Sequence, residues 1–142
     1  MITIDASVLV AAGASDDPAG ADAAAFIEAV LTDGLASHQP TLTLVEVGAA
    51  IARRTGDSGL ASEAGATLLS MPGLILHPLD LEAAADSAAI AARLRLRGAD
   101  AIYVATAVRS DAALITLDDE LLTRTSPLVD AVTPTEWLER RR

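Results

Sequence analysis

Short aliphatic runs alternate along this chain with longer segments whose apolar residues recur at helical spacing. Met1 to Ile4 is a β-branched apolar run that stops at Asp5, the pattern of a buried strand ending where an acid begins. Ser7 is placed to cap a short helix through about Ala12. Ser15-Asp16-Asp17-Pro18-Ala19-Gly20 carries loop chemistry, and Asp22 to Leu31 reads as a helix with Phe26, Ile27 and Val30 on one side, ended by Asp33-Gly34. Leu35 to Ser37 predicts a brief strand, Pro40 a helix start, and Thr41 to Arg54 a helix closed by Gly56.

Further along, Ser58 to Leu69 predicts a helix ended by Pro72-Gly73, and Leu74 to His77 a strand before Pro78. Leu81 to Leu96 reads as a long helix stopped at Gly98, followed by a helix over Asp100 to Arg109 and a strand over Ala113 to Thr116. A helical turn at Asp119 to Leu122, a strand at Val129 to Val132 and a terminal helix at Thr135 to Arg142 complete the series. Strands alternating with helices predict an α/β fold with a parallel sheet covered on both faces. Sites in such sheets form beyond the carboxyl ends of the strands, and Asp5 and Asp118 lie just past two of them.

No internal repeat, low-complexity stretch or long linker marks a boundary, so residues 1–142 read as one domain. A chain of this length buries about two-thirds of the surface it exposes when unfolded. The absence of Cys excludes disulfides, thiolate zinc sites and a cysteine nucleophile, and makes a cytoplasmic location the expectation. The first basic residue is Arg53, so no positively charged leader is expected, and no uninterrupted apolar stretch is long enough for a membrane span. His38 and His77 lie far apart in sequence, are expected in or beside loops, and are not read as ligands.

Twenty acidic against ten basic residues give a formal charge of −10, which disfavours unspecific attraction to nucleic acid. A nucleic-acid substrate would need local Arg residues or bound cations to reverse the field. All basic residues are Arg, and Arg93, Arg95, Arg97, Arg109 and Arg124 share the half that carries Asp100 and Asp118. Aromatics are 2% of the chain, so stacking platforms for bases are scarce.

Four carboxylates stand in apolar contexts: Asp5 in I-T-I-D-A-S-V-L-V, Glu46 in L-T-L-V-E-V-G-A-A-I, Asp100 in L-R-G-A-D-A-I-Y-V-A and Asp118 in A-L-I-T-L-D-D-E-L-L. Singly, each has an ordinary explanation as a helix cap, a first-turn acid or a solvated charge. Glu46 is the exception, since Leu42, Thr43, Ala49 and Ala50 offer it no cation at helical spacing. Brought together, the acids would repel one another unless something positive sat between them, and oxygen ligands of this kind suit a hard divalent cation. Mg²⁺ or Mn²⁺ is the expected cofactor.

In order and spacing these motifs resemble the PIN-domain ribonucleases, in particular the VapC toxins of bacterial toxin–antitoxin pairs, over essentially the whole chain. The resemblance implies a three-layer α/β/α domain with a short, mostly parallel five-stranded sheet and an acidic groove holding Mg²⁺ or Mn²⁺. It implies that Asp5, Glu46, Asp100 and Asp118 form the acidic quartet, with Ser7 and Thr116 as hydroxyl residues organising it. It implies further an endoribonuclease that cuts RNA, a VapB-type antitoxin whose C-terminal segment wraps the toxin and often sends an Arg into the groove, and a homodimer. One departure is Ala49, where many relatives carry Asn; this chain contains no Asn. Asp119 also leaves the fourth acid open between two neighbours.

Two other readings compete. A non-catalytic PIN-like module could use the acidic groove to hold a basic tail. A phosphotransfer domain also gathers Asp at strand ends, but this chain lacks the Lys such sites use, and Asp5-Ala6-Ser7 stands where a dehalogenase-like site has two Asp.

Overall fold

The computed structural model describes residues 1–142. Its elements are β1 (Ile2–Ile4), α1 (Ala6–Ala12), α2 (Gly20–Thr32), β2 (Ser37–Pro40), α3 (Leu42–Thr55), α4 (Ser58–Leu69), β3 (Leu74–His77), α5 (Leu81–Leu94), α6 (Gly98–Arg109), β4 (Ala113–Ile115), α7 (Asp119–Arg124), β5 (Ala131–Val132) and α8 (Pro134–Glu139). The five strands form one sheet in the order β3-β2-β1-β4-β5, and every pairing is parallel. No helix is long and apolar enough to cross a membrane.

The sheet divides its side chains by strand alternation. Ile2, Ile4, Ile115 and Val132 point to a core shared with Val8 of α1, Phe26 and Val30 of α2, and Trp137 of α8. On the other face Leu114 packs with Tyr103, Val104 and Ala107 of α6 and Leu121 of α7. Helices on both faces of a parallel sheet make three layers, the α/β/α arrangement of the fold expectation. Phe26 and Trp137 meet edge to face at 4.9 Å, which fastens α8 to α2.

The strand order places the functional end of the molecule. From β1 the chain steps outward to β2 and β3, then α5 and α6 carry it back across the sheet to β4 on the opposite side of β1. The carboxyl ends of β1 and β4 therefore flank a topological switch point, where the departing connections leave a crevice.

Gln39 bridges β2 to the end of β1. β1 pairs with β2 only at Ile2↔Ser37, after which the strands diverge. The buried Gln39 amide fills the gap like a piece of backbone: oriented so that donor meets acceptor, its nitrogen donates to the Ile4 carbonyl and its oxygen accepts from the Ile4 N–H, each at 2.8 Å. Gln39→Leu strands both groups in the core. It is expected to lower stability by about 2–3 kcal/mol, read as a drop in urea midpoint with unchanged slope.

Several local expectations shift. Pro40 ends β2 rather than starting α3, because main-chain pairing with β3 continues through it and on to the Thr41 N–H, which donates to the His77 carbonyl at 2.9 Å. α2 begins at Gly20, ahead of Asp22; a Cβ on Gly20 would lie 2.6 Å from the Ala14 carbonyl oxygen, so only glycine allows the loop to fold this tightly onto the helix. Gly73 combines a φ of 76° with a Cβ position 2.6 Å from the Leu35 carbonyl oxygen. α5 stops at Leu94, since Arg95 takes a left-handed conformation at φ 56°. His38 lies within β2, whereas His77 ends β3 beside the loop that starts at Pro78, as expected; the two rings stack, with Nδ1 of His38 2.9 Å from Nε2 of His77.

Candidate active site

Asp5 and Asp118 sit just beyond β1 and β4, at the switch point, Asp100 in the first turn of α6, and Glu46 one turn into α3. Asp5 is the helix-capping residue of α1 by position, yet its side chain makes no capping bond. Its Oδ2 instead accepts from Ser7 Oγ at 2.5 Å and Thr116 Oγ1 at 2.9 Å. Ser7 therefore lies inside α1 and turns back to Asp5, where the sequence pattern predicted a cap. Its Oγ also accepts from the Leu117 N–H at 3.3 Å, and Thr116 Oγ1 accepts from the Asp118 N–H at 3.0 Å. These bonds stitch the ends of β1 and β4 together and fix the Asp5 carboxylate against the end of β4.

Asp118 divides its oxygens. Oδ1 caps α7 by accepting from the N–H groups of Glu120 at 2.8 Å and Leu121 at 3.3 Å. Oδ2 accepts from a guanidinium, that of Arg97. The neighbouring Asp119 is exposed on the first turn of α7 and makes no side-chain hydrogen bond or ion pair, while Glu120 pairs with Arg124 at 3.2 Å.

Of the arginines in the half of the sequence that carries Asp100 and Asp118, Arg97 is the one that reaches them. It stands immediately before α6, its backbone extended, and its side chain forks: Nε donates to Asp100 Oδ2 and Nη2 to Asp118 Oδ2, each at 2.9 Å. No other cation pairs with any of the four acids. The separation of three residues between Arg97 and Asp100 was the available signal, since an acid in a first helical turn readily meets a side chain from the cap position. Arg109 and Arg124 are committed elsewhere, to Glu82 and Asp86 and to Glu120.

The electrostatics follow from burial and crowding. Asp5 is 7% exposed, and burial pushes its carboxyl pKa up against the lowering by Ser7 and Thr116, with Asp100 and Asp118 adding repulsion. Burial likewise raises Glu46, a nearby Tyr103 hydroxyl opposes the shift, and Asp5 and Asp100 raise it further. Burial also drives the Tyr103 phenol upward. That hydroxyl is buried in α6 without a partner at hydrogen-bond geometry, although Glu46 and Thr43 are near enough to bear on its ionisation. Asp100 and Asp118 bind Arg97 and hold its guanidinium more firmly protonated.

Beside the acids runs a groove of about 730 Å³ whose wall includes Ser7, Asp17, Val45, Glu46, Arg53 and Leu117. Arg53 makes no ion pair, so its charge faces the groove free of acid partners. The donor set at the crevice fits a hard divalent cation: all oxygen, two carboxyls with raised pKa, one Asp5 oxygen unengaged by the protein, and a guanidinium already standing where positive charge is needed. No three His, Asp or Glu side chains are drawn into a closed metal shell in this arrangement; the Arg97 fork spans Asp100 and Asp118 instead.

Similar folds are known. A chain of the VapBC2 complex of Rickettsia felis, solved with a promoter DNA fragment, superposes with a TM-score of 0.70 at 13% identity, covering 94% of this chain and 98% of that one. VapC20 of Mycobacterium tuberculosis, a toxin that cleaves the sarcin–ricin loop, gives 0.70 at 18% identity over 84% and 91%. A chain of FitAcB from Neisseria gonorrhoeae gives 0.71 at 17% identity over 95% and 99%. No curated protein sequence matches the chain. The PIN domain family model matches residues 2–126, spanning every element from β1 through α7, and the chain belongs to the PIN domain family.

Proposed function

We propose that this protein is a Mg²⁺- or Mn²⁺-dependent endoribonuclease and the toxin of a bacterial type II toxin–antitoxin pair, neutralised by a cognate VapB-type antitoxin. The observation that carries the reading is the gathering of Asp5, Glu46, Asp100 and Asp118 around the β1/β4 switch point, close enough for their charges to interact. Family membership and the likeness to VapC20, VapBC2 and FitAcB chains support it. A cytoplasmic homodimer belongs to the same proposal.

Asp5 and Asp100 would be the firmest ligands for the cation, with Glu46 and Asp118 contributing partly through water. When bound, the cation makes a water more acidic and offsets charge on the phosphoryl oxygens. Ser7 and Thr116 hold Asp5 in its rotamer, and Glu46, free of any ion pair, accepts the proton of the attacking water. Arg53 supplies groove charge that offsets the chain's −10 for an incoming RNA strand.

The test is incubation of the purified chain with total RNA and Mg²⁺ or Mn²⁺, followed by sequencing of new 5′ ends. Discrete ends are expected, absent with EDTA and restored by excess metal. If the chain holds a basic peptide tightly but cuts no RNA with either metal, the acidic groove is a binding surface and the enzyme reading fails.

A further inference from the structure

Arg97 has two properties that are seldom found together. Its guanidinium is tied to two carboxylates of the site, at 2.9 Å each, yet its side chain is 71% exposed and packs into neither core. It lies in the short turn between α5 and α6, ahead of the first helical residue, so no helical turn locks its rotamer. Each of the two carboxylates meets Arg97 through a single oxygen, and both bonds are made by a planar fork that no Lys could reproduce. Water and salt reach both pairs from the exposed arginine side and screen them, which makes the Arg97 contacts exchangeable although Asp100 itself is buried.

We propose that Arg97 is a movable counter-ion: it neutralises Asp100 and Asp118 while no divalent cation is bound, and turns to a phosphate of the RNA strand once the carboxylates are taken. This rests on the nuclease reading above and assigns that site an additional substrate-binding residue. A divalent cation drawn to Asp100 and Asp118 competes with the guanidinium for their charge, so metal binding weakens both Arg97 contacts. The released fork then lies at the mouth of an acidic crevice in a chain of net charge −10, where a phosphate has few cations to meet. Arg97 is suited to that encounter because a guanidinium binds two phosphate oxygens at once.

Three proteins decide it: the unaltered chain, Arg97→Met and Arg97→Lys. Mn²⁺ affinity is measured by calorimetry without RNA, and kcat and KM for RNA cleavage at saturating Mn²⁺. Arg97→Met, relieved of two competing pairs, is expected to bind Mn²⁺ about three- to tenfold more tightly. The same variant is expected to raise KM about tenfold with a much smaller change in kcat, as loss of one charge-assisted phosphate contact would. Arg97→Lys, with a single point charge, is expected to fall between the two in Mn²⁺ affinity and to recover most of the KM. Unchanged or weaker Mn²⁺ binding by Arg97→Met overturns the counter-ion role, and an unchanged KM overturns the phosphate role. If the unaltered chain itself neither binds Mn²⁺ nor cuts RNA, the nuclease reading falls and this inference with it; a failure confined to the Arg97 variants sinks this inference alone.

Discussion

Asp118→Asn is expected to reduce RNA cleavage by about 100-fold or more and to release cells from growth inhibition, while Asp119→Asn leaves both nearly intact. The two neighbours differ in what their side chains do. Asp118 caps α7 with one oxygen and presents the other to the crevice, where Arg97 takes it. Asn is as good a cap as Asp, so the substitution keeps the fold and removes the charge. Asp119 points to solvent from the first turn of α7, where a carboxylate interacts with the helix dipole for about 0.3–1 kcal/mol. Cleavage at saturating Mg²⁺, with melting curves for both variants, makes the comparison. An inactive Asp119→Asn beside an active Asp118→Asn would reverse the assignment.

Asp5→Asn is expected to stabilise the metal-free protein while abolishing its response to metal and its activity. The amide oxygen can still accept from Ser7 and Thr116, so the bonds that fasten β1 to β4 survive. What disappears is a buried charge beside Asp100 and Asp118. Because the folded-state pKa of Asp5 is raised, the unfolded chain gives up this proton first as pH climbs. The contribution of Asp5 to stability is therefore complete below the ordinary carboxylate pKa and is lost as pH rises through the raised folded value. Asp5→Asn should raise the metal-free Tm at neutral pH, with a difference from the parent chain that shrinks as pH falls toward the ordinary carboxylate pKa. Mg²⁺ or Mn²⁺ should raise the Tm of the parent chain, by binding the folded state, and leave the variant unmoved. A variant that is less stable than its parent at pH 7 without metal would show that the Asp5 carboxylate supports the fold in its charged form.

The acid crowding also gives the hydroxyl residues a purpose beyond packing. Thr116 is fully buried, and Ser7 lies in the first turn of a helix whose inner face is otherwise Ala and Val. Both spend their donors on the same Asp5 oxygen, which keeps that carboxylate from swinging away from its neighbours under repulsion. Gln39 supports the same end of the sheet from β2 by satisfying Ile4, the residue immediately before Asp5.

How much of this was legible in the chain depends on how local each cause is. The order of strands and helices followed from apolar runs and their periods, because burial of a strand or a helix face leaves its mark within a few residues. Gly56 closing α3 and the Pro72-Gly73 stop after α4 were readable for the same reason. The acids at Asp5 and Asp118 could be placed at strand ends, and a parallel sheet collects strand ends on one edge. Boundaries drifted where a distant partner decides them: Pro40 remains in β2 because β3 pairs with it, and α2 extends back to Gly20 because the Ala14 carbonyl lies against it.

Tertiary structure alone decided the contacts between residues remote in sequence. His38 and His77, separated by the whole of α3 and α4, become neighbours because β2 and β3 pair in parallel register. Arg97 becomes the counter-ion of the site because the α5–α6 turn carries it beside the end of β4, bringing Asp118 within reach of a fork that already holds Asp100. The sequence by itself determined which residues carry charge and which segments must be buried, since both are properties of the side chains themselves. Which charges face one another is set by the register and order of the strands, and that information resides in the packing of the whole sheet.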